Sequence, residues 1–126
     1  MKTKIYYHNT DTGGVVYYAE YLKFLEEART EFLDEKGVSV KKLIQEGTVF
    51  VVARQEIDYK APAFYGDELE IHARITSMSR AKIEFGYDIK NQKGQNICGA
   101  KTIMVCVDKN IKPKPIPPDI RKKLEG

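Results

Sequence analysis

Apolar residues along this chain recur with two different periods, and each period predicts a different kind of secondary structure. Over residues 16–36 the period is three to four, as on one face of an α-helix. The apolar members of that face are Tyr18, Tyr21, Leu22, Leu25, Ala28, Phe32 and Leu33. The opposite face carries Glu20, Lys23, Glu27, Glu31 and Asp34. The pattern predicts a long amphipathic helix that ends at Gly37 and needs a sheet to cover its apolar stripe.

Four later segments have the composition of β-strands, and turn-forming residues separate them. They are residues 49–59, 68–77, 82–91 and 96–108. The two middle segments alternate between apolar and polar residues, which predicts one buried and one solvated face. The last contains a continuous apolar run, residues 103–107, which predicts burial on both faces near the centre of the sheet. Because the links are short, we expect consecutive strands to be antiparallel neighbours in a meander.

The rest of the chain adds smaller elements. Residues 2–8 are predicted to form a strand, residues 40–45 a single helical turn, and residues from Asp119 onward a terminal helix. No internal repeat or second domain is evident. A strand, a long helix and four antiparallel strands predict one α+β domain over residues 1–126, in which a five-stranded antiparallel sheet wraps the helix.

Composition narrows the class of protein. The chain has 126 residues and a net charge of +3, which is too weakly basic to predict nucleic-acid binding but suits an anionic small ligand. No apolar run has the length of a membrane span and the first residues lack a secretory leader, so we expect a cytoplasmic protein. Cys98 and Cys106 lie about 26 Å apart along one predicted strand and are expected to be core thiols.

The segment between the first strand and the long helix holds a single acid, Asp11. Gly13 and Gly14 follow it and allow a sharp turn with close approach of the backbone. Tyr18 is predicted to lie in the first helical turn, where N–H groups lack intrahelical acceptors and attract negative charge. A carboxylate that faces such donors is one arrangement for acyl transfer. Composition alone instead favours a turn or N-cap role for Asp11.

The order of elements and several sequence blocks resemble the hotdog-fold acyl-CoA thioesterases, in particular the 4-hydroxybenzoyl-CoA thioesterase and YbgC-like group. The most specific block is residues 10–17, TDTGGVVY. The others are residues 21–31 (YLKFLEEARTE), 58–62 (DYKAP), 65–67 (YGD), 107–108 (VD) and 112–113 (KP). These later blocks occur in hotdog proteins more widely, so they support the fold more than the reaction.

The resemblance implies a role for each part of the first block. Asp11 corresponds to the catalytic carboxylate, as nucleophile or general base, and the N–H of Tyr18 corresponds to the donor that polarises the thioester carbonyl. Gly14 and Val16 are expected to bind substrate, because the loop backbone there lies against the reacting carbonyl. The resemblance implies no metal or redox cofactor, and the Cys and His spacing does not predict a metal site.

The resemblance also implies where the coenzyme binds and how subunits associate. The turn that contains Ser79, Arg80 and Lys82 resembles the segment that lines the coenzyme A entrance, although a solvated positive turn explains it as well. Arg54, Lys112 and Lys114 are further candidates for the phosphates. Hotdog relatives pair edge to edge as homodimers or homotetramers with sites between subunits. The expected substrate is an acyl-CoA, and an acyl-carrier protein is a possible alternative carrier.

Two positions depart from the resemblance. Many relatives carry an acid where this chain has Asn9, and YbgC-like relatives often have His where it has Tyr18. A hotdog dehydratase is disfavoured because neither His8 nor His72 lies in a His-Phe-Pro context. His8 fits pocket-wall or surface packing better than catalysis, and His72 is expected to be solvated. A non-catalytic acyl-carrier or scaffold-binding module is the main alternative to the enzyme.

Overall fold

The long helix lies against one face of an antiparallel sheet, and two short helices close one end. The computed structural model describes residues 1–126. The helices are α1 (Glu20–Glu35), α2 (Val40–Gln45) and α3 (Pro118–Glu125). The strands are β1 (Lys2–Lys4), β2 (Val49–Tyr59), β3 (Glu68–Met78), β4 (Lys82–Asn91) and β5 (Asn96–Val107). This is the predicted α+β hotdog architecture, and most boundaries lie within one residue of the prediction.

The predicted meander is wrong at one step. The strand order is β1-β3-β4-β5-β2, so β2 lies at the edge beside β5 and is not a neighbour of β3. The link between β2 and β3 does not form a hairpin, because its backbone is bonded elsewhere. The N–H groups of Lys60 and Ala61 donate to the Ile97 carbonyl, and the Ala63 carbonyl accepts from Val16 at 2.8 Å. The link therefore crosses the start of α1 to the opposite side of the sheet.

Both the first strand and the long helix are shorter than predicted at the hinge between them. The Asn9 side chain accepts the N–H of Tyr6 at 2.8 Å, and residues Tyr7–Asn9 form a 3₁₀ turn instead of continuing β1. The N–H of Tyr17 donates to the Asn9 carbonyl at 2.9 Å, which keeps this segment out of the helix. As a result Tyr18 lies just before α1 and not in its first turn.

The core lies between α1 and the inner face of the sheet. The buried residues of α1 are Tyr21, Phe24, Leu25, Ala28 and Leu33. Two residues of the predicted stripe are exposed: Tyr18 by 61%, because it precedes the helix, and Leu22 by 47%, because it lies at the rim of the stripe. The sheet contributes Ile71, Ile83, Phe85, Tyr87 and Ile89.

Strand β5 is interior, as its apolar run predicted, but the burial is one-sided. Met104 and Cys106 are buried on the helix side, whereas Ile103 and Val105 on the outer face are only half-buried. Val107, at the end of the outer face, is buried where the strand meets Pro113. The central strand is β4. No helix of the chain is long and apolar enough to cross a membrane.

Candidate active site

Asp11 lies in a tight loop that fixes its backbone and leaves part of its carboxylate free. Its N–H donates to the Val15 carbonyl at 2.9 Å and its carbonyl accepts from Gly14 at 3.0 Å. Gly14 has φ +82°, a conformation that favours glycine. Oδ1 of Asp11 accepts the N–H of Gly13 at 2.8 Å, while Oδ2 makes no hydrogen bond. The side chain is exposed, so Oδ2 is available to a bound molecule.

The N–H of Tyr18 has no acceptor within the chain. The reason differs from the one predicted. Tyr18 lies in the turn before α1, and the first bond of that turn runs from the Glu20 N–H to the Tyr17 carbonyl at 2.9 Å. The Tyr18 carbonyl accepts from the hydroxyl of Tyr59 at 3.0 Å. A free N–H at the helix entry is suited to an oxygen that gains negative charge.

Asp11 and Tyr18 line the same open groove, which has a volume of about 350 Å³. Its lining residues are Asp11, Val15, Val16, Tyr18, Tyr21, Tyr59, Lys60, Ala61 and Pro62. The structure thus brings together three predicted site residues, Asp11, Val16 and Tyr18. Gly14 shapes the loop but does not line the groove. Sequence reasoning missed the far wall, residues 59–62, although the DYKAP block was the available signal.

Burial keeps the hydroxyls of the groove protonated. It raises the pKa of Tyr21 and of Tyr59, and for both the next cause is the thiol of Cys98 beneath them. Outside the groove, the pKa of Tyr17 is also raised, first through its contact with Tyr18, whose ring centroid lies 4.8 Å away. These hydroxyls therefore stay neutral around pH 7. Asp11 is the only acidic residue that lines the groove.

The predicted coenzyme residues lie at the opposite end of the sheet. Strand β3 begins next to the loop of the groove and has 11 residues, so its far end is roughly 33 Å away. There Ser79 and Lys82 close a turn in which the Ser79 N–H donates to the Lys82 carbonyl at 2.9 Å. Arg121 donates to the carbonyls of Ser79 and Arg80, which ties the turn to α3. One chain does not bring this turn to Asp11.

The other proposed phosphate ligands are also distant from the groove or are paired. Lys114 donates to the Thr48 hydroxyl at 2.6 Å, at the same end as Arg80. Arg54 is on β2 and donates to Glu56 at 2.6 Å.

His8 is exposed and stacks on Tyr6, with 6.1 Å between ring centroids.

A second concavity lies at the far end, between α1, α2 and the sheet. Its volume is about 240 Å³, and nine of its thirteen lining residues are hydrophobic. These are Leu33, Val40, Leu43, Ile44, Val49, Phe50, Ile83, Phe85 and Met104. Val49 and Phe50 belong to the edge strand β2, so this apolar cavity reaches the edge of the sheet.

Comparisons with known proteins agree with this geometry. The family model described as the thioesterase-like superfamily matches residues 7–124. The acyl-CoA thioester hydrolase YbgC of Escherichia coli O6:H1 is 41% identical over 118 residues, covering 93% of this chain and 88% of that protein. The acyl-CoA thioesterase YbgC of Haemophilus influenzae is 34% identical over 121 residues, covering 94% and 88%. The structure of a 1,4-dihydroxy-2-naphthoyl-CoA thioesterase from Synechocystis has a TM-score of 0.91 at 27% identity, covering 98% and 93%.

Proposed function

This chain belongs to the thioesterase-like superfamily and is an acyl-CoA thioester hydrolase, and we propose that Asp11 and the N–H of Tyr18 carry the reaction. The observation that supports this most strongly is their shared groove. A carboxylate with a free oxygen and a backbone N–H without an acceptor line the same open space. An N-cap role alone does not explain Asp11, because its carboxylate bonds within its own loop and α1 begins nine residues later.

Two chemical routes use these groups. In the first, an Asp11 oxygen attacks the thioester carbon, the C–S bond breaks, the thiolate leaves, and water hydrolyses the resulting anhydride to the free acid. In the second, Asp11 takes a proton from water while that water attacks the same carbon, and the proton passes to the departing thiolate. Both routes put negative charge on the carbonyl oxygen. A donor such as the Tyr18 N–H contributes about 10²- to 10³-fold to such a reaction.

The position of the coenzyme follows from how two copies would pair. Strand β2 is an edge strand, and its Val49 end lies near the Ser79–Lys82 turn, since Val51 pairs with Val105 and Val105 with Lys82. Its Tyr59 end lines the Asp11 groove. Antiparallel pairing of β2 with β2 of a second copy would place the first end beside the second. We therefore propose a homodimer or homotetramer in which Ser79, Arg80 and Lys82 bind the coenzyme phosphates of the partner's substrate.

The same pairing would bring the apolar cavity of one copy next to the Asp11 groove of the other. We propose that this cavity takes the acyl chain, because nine of its thirteen lining residues are hydrophobic and it opens near β2. The proposal accommodates either coenzyme A or an acyl-carrier protein as the carrier of the thioester, since both present a flexible thiol arm. We also propose a cytoplasmic site of action, which suits the buried free thiols of Cys98 and Cys106.

The test is hydrolysis of a panel of acyl-CoA and aryl-CoA thioesters, followed by release of the thiol. The unmodified protein is expected to hydrolyse at least one of them, and Asp11→Asn to lower kcat by about 10²- to 10⁴-fold. Asp34→Asn is the matched control, since Asp34 is an exposed acid on α1 that lies outside the groove and away from β2. Absence of hydrolysis above background would support the non-catalytic module. Full activity of Asp11→Asn would remove Asp11 from the mechanism.

A further inference from the structure

Asn9 is a buried polar residue that uses every one of its hydrogen-bonding groups. Only 5% of Asn9 is exposed to solvent. Oδ1 accepts the N–H of Tyr6 at 2.8 Å, and Nδ2 donates to Oε1 of Glu20 at 2.7 Å. Its backbone carbonyl accepts from Tyr17 at 2.9 Å and its N–H donates to the Tyr6 carbonyl at 3.0 Å. Asn9 thus joins the start of the hinge, the end of the hinge and the first residue of α1.

Glu20 completes this contact from the helix. Its side chain is 13% exposed, and its second oxygen, Oε2, lies 3.1 Å from Nζ of Lys23. The hydrogen bond from Asn9 is the largest cause that lowers the pKa of Glu20, with smaller contributions from Lys23 and His8. Glu20 is therefore ionised at neutral pH and acts only as an acceptor. The contact needs a donor at position 9, which an amide supplies and a carboxylate does not.

We propose that the Asn9–Glu20 hydrogen bond is a positioning clamp that sets the geometry between the Asp11 carboxylate and the Tyr18 N–H. Asp11 follows Asn9 by two residues, and Tyr18 precedes Glu20 by two residues. The loop between them has its own short bonds and is tied to the 60–67 link by the bond from the Val16 N–H to the Ala63 carbonyl. The side chain of Asn9 adds the bond that ties the loop to the first residue of α1. The clamp rests on the function proposed for Asp11 and Tyr18, and neither Asn9 nor Glu20 lines the groove.

Asn9→Asp is the sharpest single change, because it keeps the size of the side chain and the acceptor for Tyr6. It places two carboxylates at the 2.7 Å contact between positions 9 and 20. The charged or titratable groups that influence the pKa of Glu20 there are Lys23 and His8. We expect kcat to fall about 10- to 100-fold at pH 8, since a displacement of about 1 Å can cost 10²-fold. KM is expected to change less than about threefold, since the clamp does not contact substrate.

The pH dependence separates positioning from general loss of structure. Two adjacent carboxylates bind a shared proton at a higher pH than an isolated carboxylate binds its own. The shared proton restores a hydrogen-bond donor between positions 9 and 20. The ratio of kcat for Asn9→Asp to kcat for the unmodified protein is therefore expected to rise as the pH falls from 8 to 5. A variant that is simply less well folded would show a ratio that stays flat or falls.

The double variant Asn9→Asp with Glu20→Gln reverses donor and acceptor and should restore kcat to within about fivefold at every pH. Glu20→Gln alone keeps an acceptor for Asn9 and should cost less than about threefold, while Glu20→Ala should cost about tenfold in kcat. Glu27→Gln, an exposed change on the same helix, is the control. Circular dichroism verifies that each variant folds, and if Asn9→Asp does not, Glu20→Ala and the double variant decide the question.

The outcomes separate this proposal from the proposed function. If Asn9→Asp and Glu20→Ala both stay within threefold of the unmodified kcat while Asp11→Asn is inactive, the clamp is wrong and the function of Asp11 stands. Failure of the double variant to recover activity also overturns the clamp. If the unmodified protein hydrolyses no thioester, or Asp11→Asn is fully active, both proposals fall.

Discussion

The two ends of the sheet carry different chemistry. The acid end, residues 6–18 and 59–67, holds Asp11 and the free Tyr18 N–H, and it is unusually rich in exposed aromatic side chains. These are Tyr6, Tyr7, Tyr17, Tyr18, Tyr59, Phe64 and Tyr65. The basic end, residues 79–82 and 109–126, is covered by the C-terminal segment and α3. Its cations are Arg80, Lys82, Lys109, Lys112, Lys114, Arg121, Lys122 and Lys123.

One chain thus separates the proposed reactive groups from the groups proposed to hold an anionic, apolar-tailed substrate. Strands of 10 to 12 residues keep the two ends roughly 30 Å apart. Contacts distant in sequence fix both ends: the Val16 N–H donates to the Ala63 carbonyl at the acid end, and the Ile116 N–H donates to the Arg80 carbonyl at the basic end. If Arg80 binds the coenzyme and Asp11 carries the reaction, as we propose, a complete thioesterase site needs the two ends of different copies.

The largest expected effect is on the rate at which each cysteine thiol reacts, because that rate reports how tightly each end of the sheet is packed. Burial raises the pKa of Cys98, below the groove, to about 12 and also raises the pKa of Cys106 near the basic end. A thiol with a raised pKa is mostly protonated at pH 8, so Cys98 should react with a disulfide reagent about 10³-fold more slowly than an unfolded thiol. Cys98→Ser and Cys106→Ser assign the two rates. Fast reaction of Cys98 would mean that the groove floor opens readily.

Filling the apolar cavity should alter chain-length preference. Ile44 lines the cavity and is itself exposed, so Ile44→Trp narrows the cavity without changing the core. Excluding three methylenes at about 0.8 kcal/mol each predicts a loss of roughly 50-fold in kcat/KM for octanoyl-CoA. Butyryl-CoA should be affected less than about threefold. Leu22→Trp, at an exposed position of α1 outside the cavity, is the control, and equal loss for both substrates would argue against an acyl-chain role.

Arg80→Ala tests the basic end as the coenzyme site. Loss of one charged contact to phosphate is expected to raise KM about 5- to 10-fold and to change kcat less than twofold, because the contact does not involve the reacting carbon. The KM of the unmodified protein should rise with salt more steeply than that of the variant. Arg74→Ala, which removes a cation paired with Asp88 on the outer face, is the control. A fall in kcat at constant KM would contradict this assignment.

The smallest expected effect comes from removing the hydrogen bond that holds the peptide of Tyr18, the proposed oxyanion donor at the acid end. Tyr59→Phe removes the hydroxyl that bonds the Tyr18 carbonyl at 3.0 Å and leaves the ring in place. A net contribution of about 1 kcal/mol for such a bond predicts a decrease of about threefold to fivefold in kcat. Tyr65→Phe, at an exposed tyrosine of the same end, should have no effect. Equal changes in both variants would point to a general property of the aromatic surface.

Much of the fold was predictable because its signals are local. The stripe of α1 and the alternation in β3 and β4 depend on residues a few positions apart, and the TDTGGVVY block located Asp11 and Tyr18. The start of α1 was not predictable, because the N–H groups of Val16 and Tyr17 are taken by Ala63 and Asn9. The position of β2 depends on contacts of the 60–67 link with Ile97 and Val16, which no local pattern reports.

The predicted site was divided for a similar reason. The family resemblance places Arg80 and Asp11 at one site. Within one chain, however, the length of the strands separates the two residues. The resemblance implies sites between subunits, and the proposed pairing of two copies would reunite these residues. That pairing depends on the free edge of β2 and on strand direction. Neither appears until the strand order is known.

The most direct test of this two-copy account mixes two inactive variants, each defective at a different end. Asp11→Asn keeps the cavity, and Ile44→Trp keeps Asp11, so a hybrid dimer contains one site with both intact parts. With octanoyl-CoA, random pairing in an equal mixture of separately tagged, co-expressed chains predicts about one quarter of the unmodified activity. The purified hybrid should have about half. Activity no higher than the average of the two separate variants would contradict the account, because each chain would then use its own cavity.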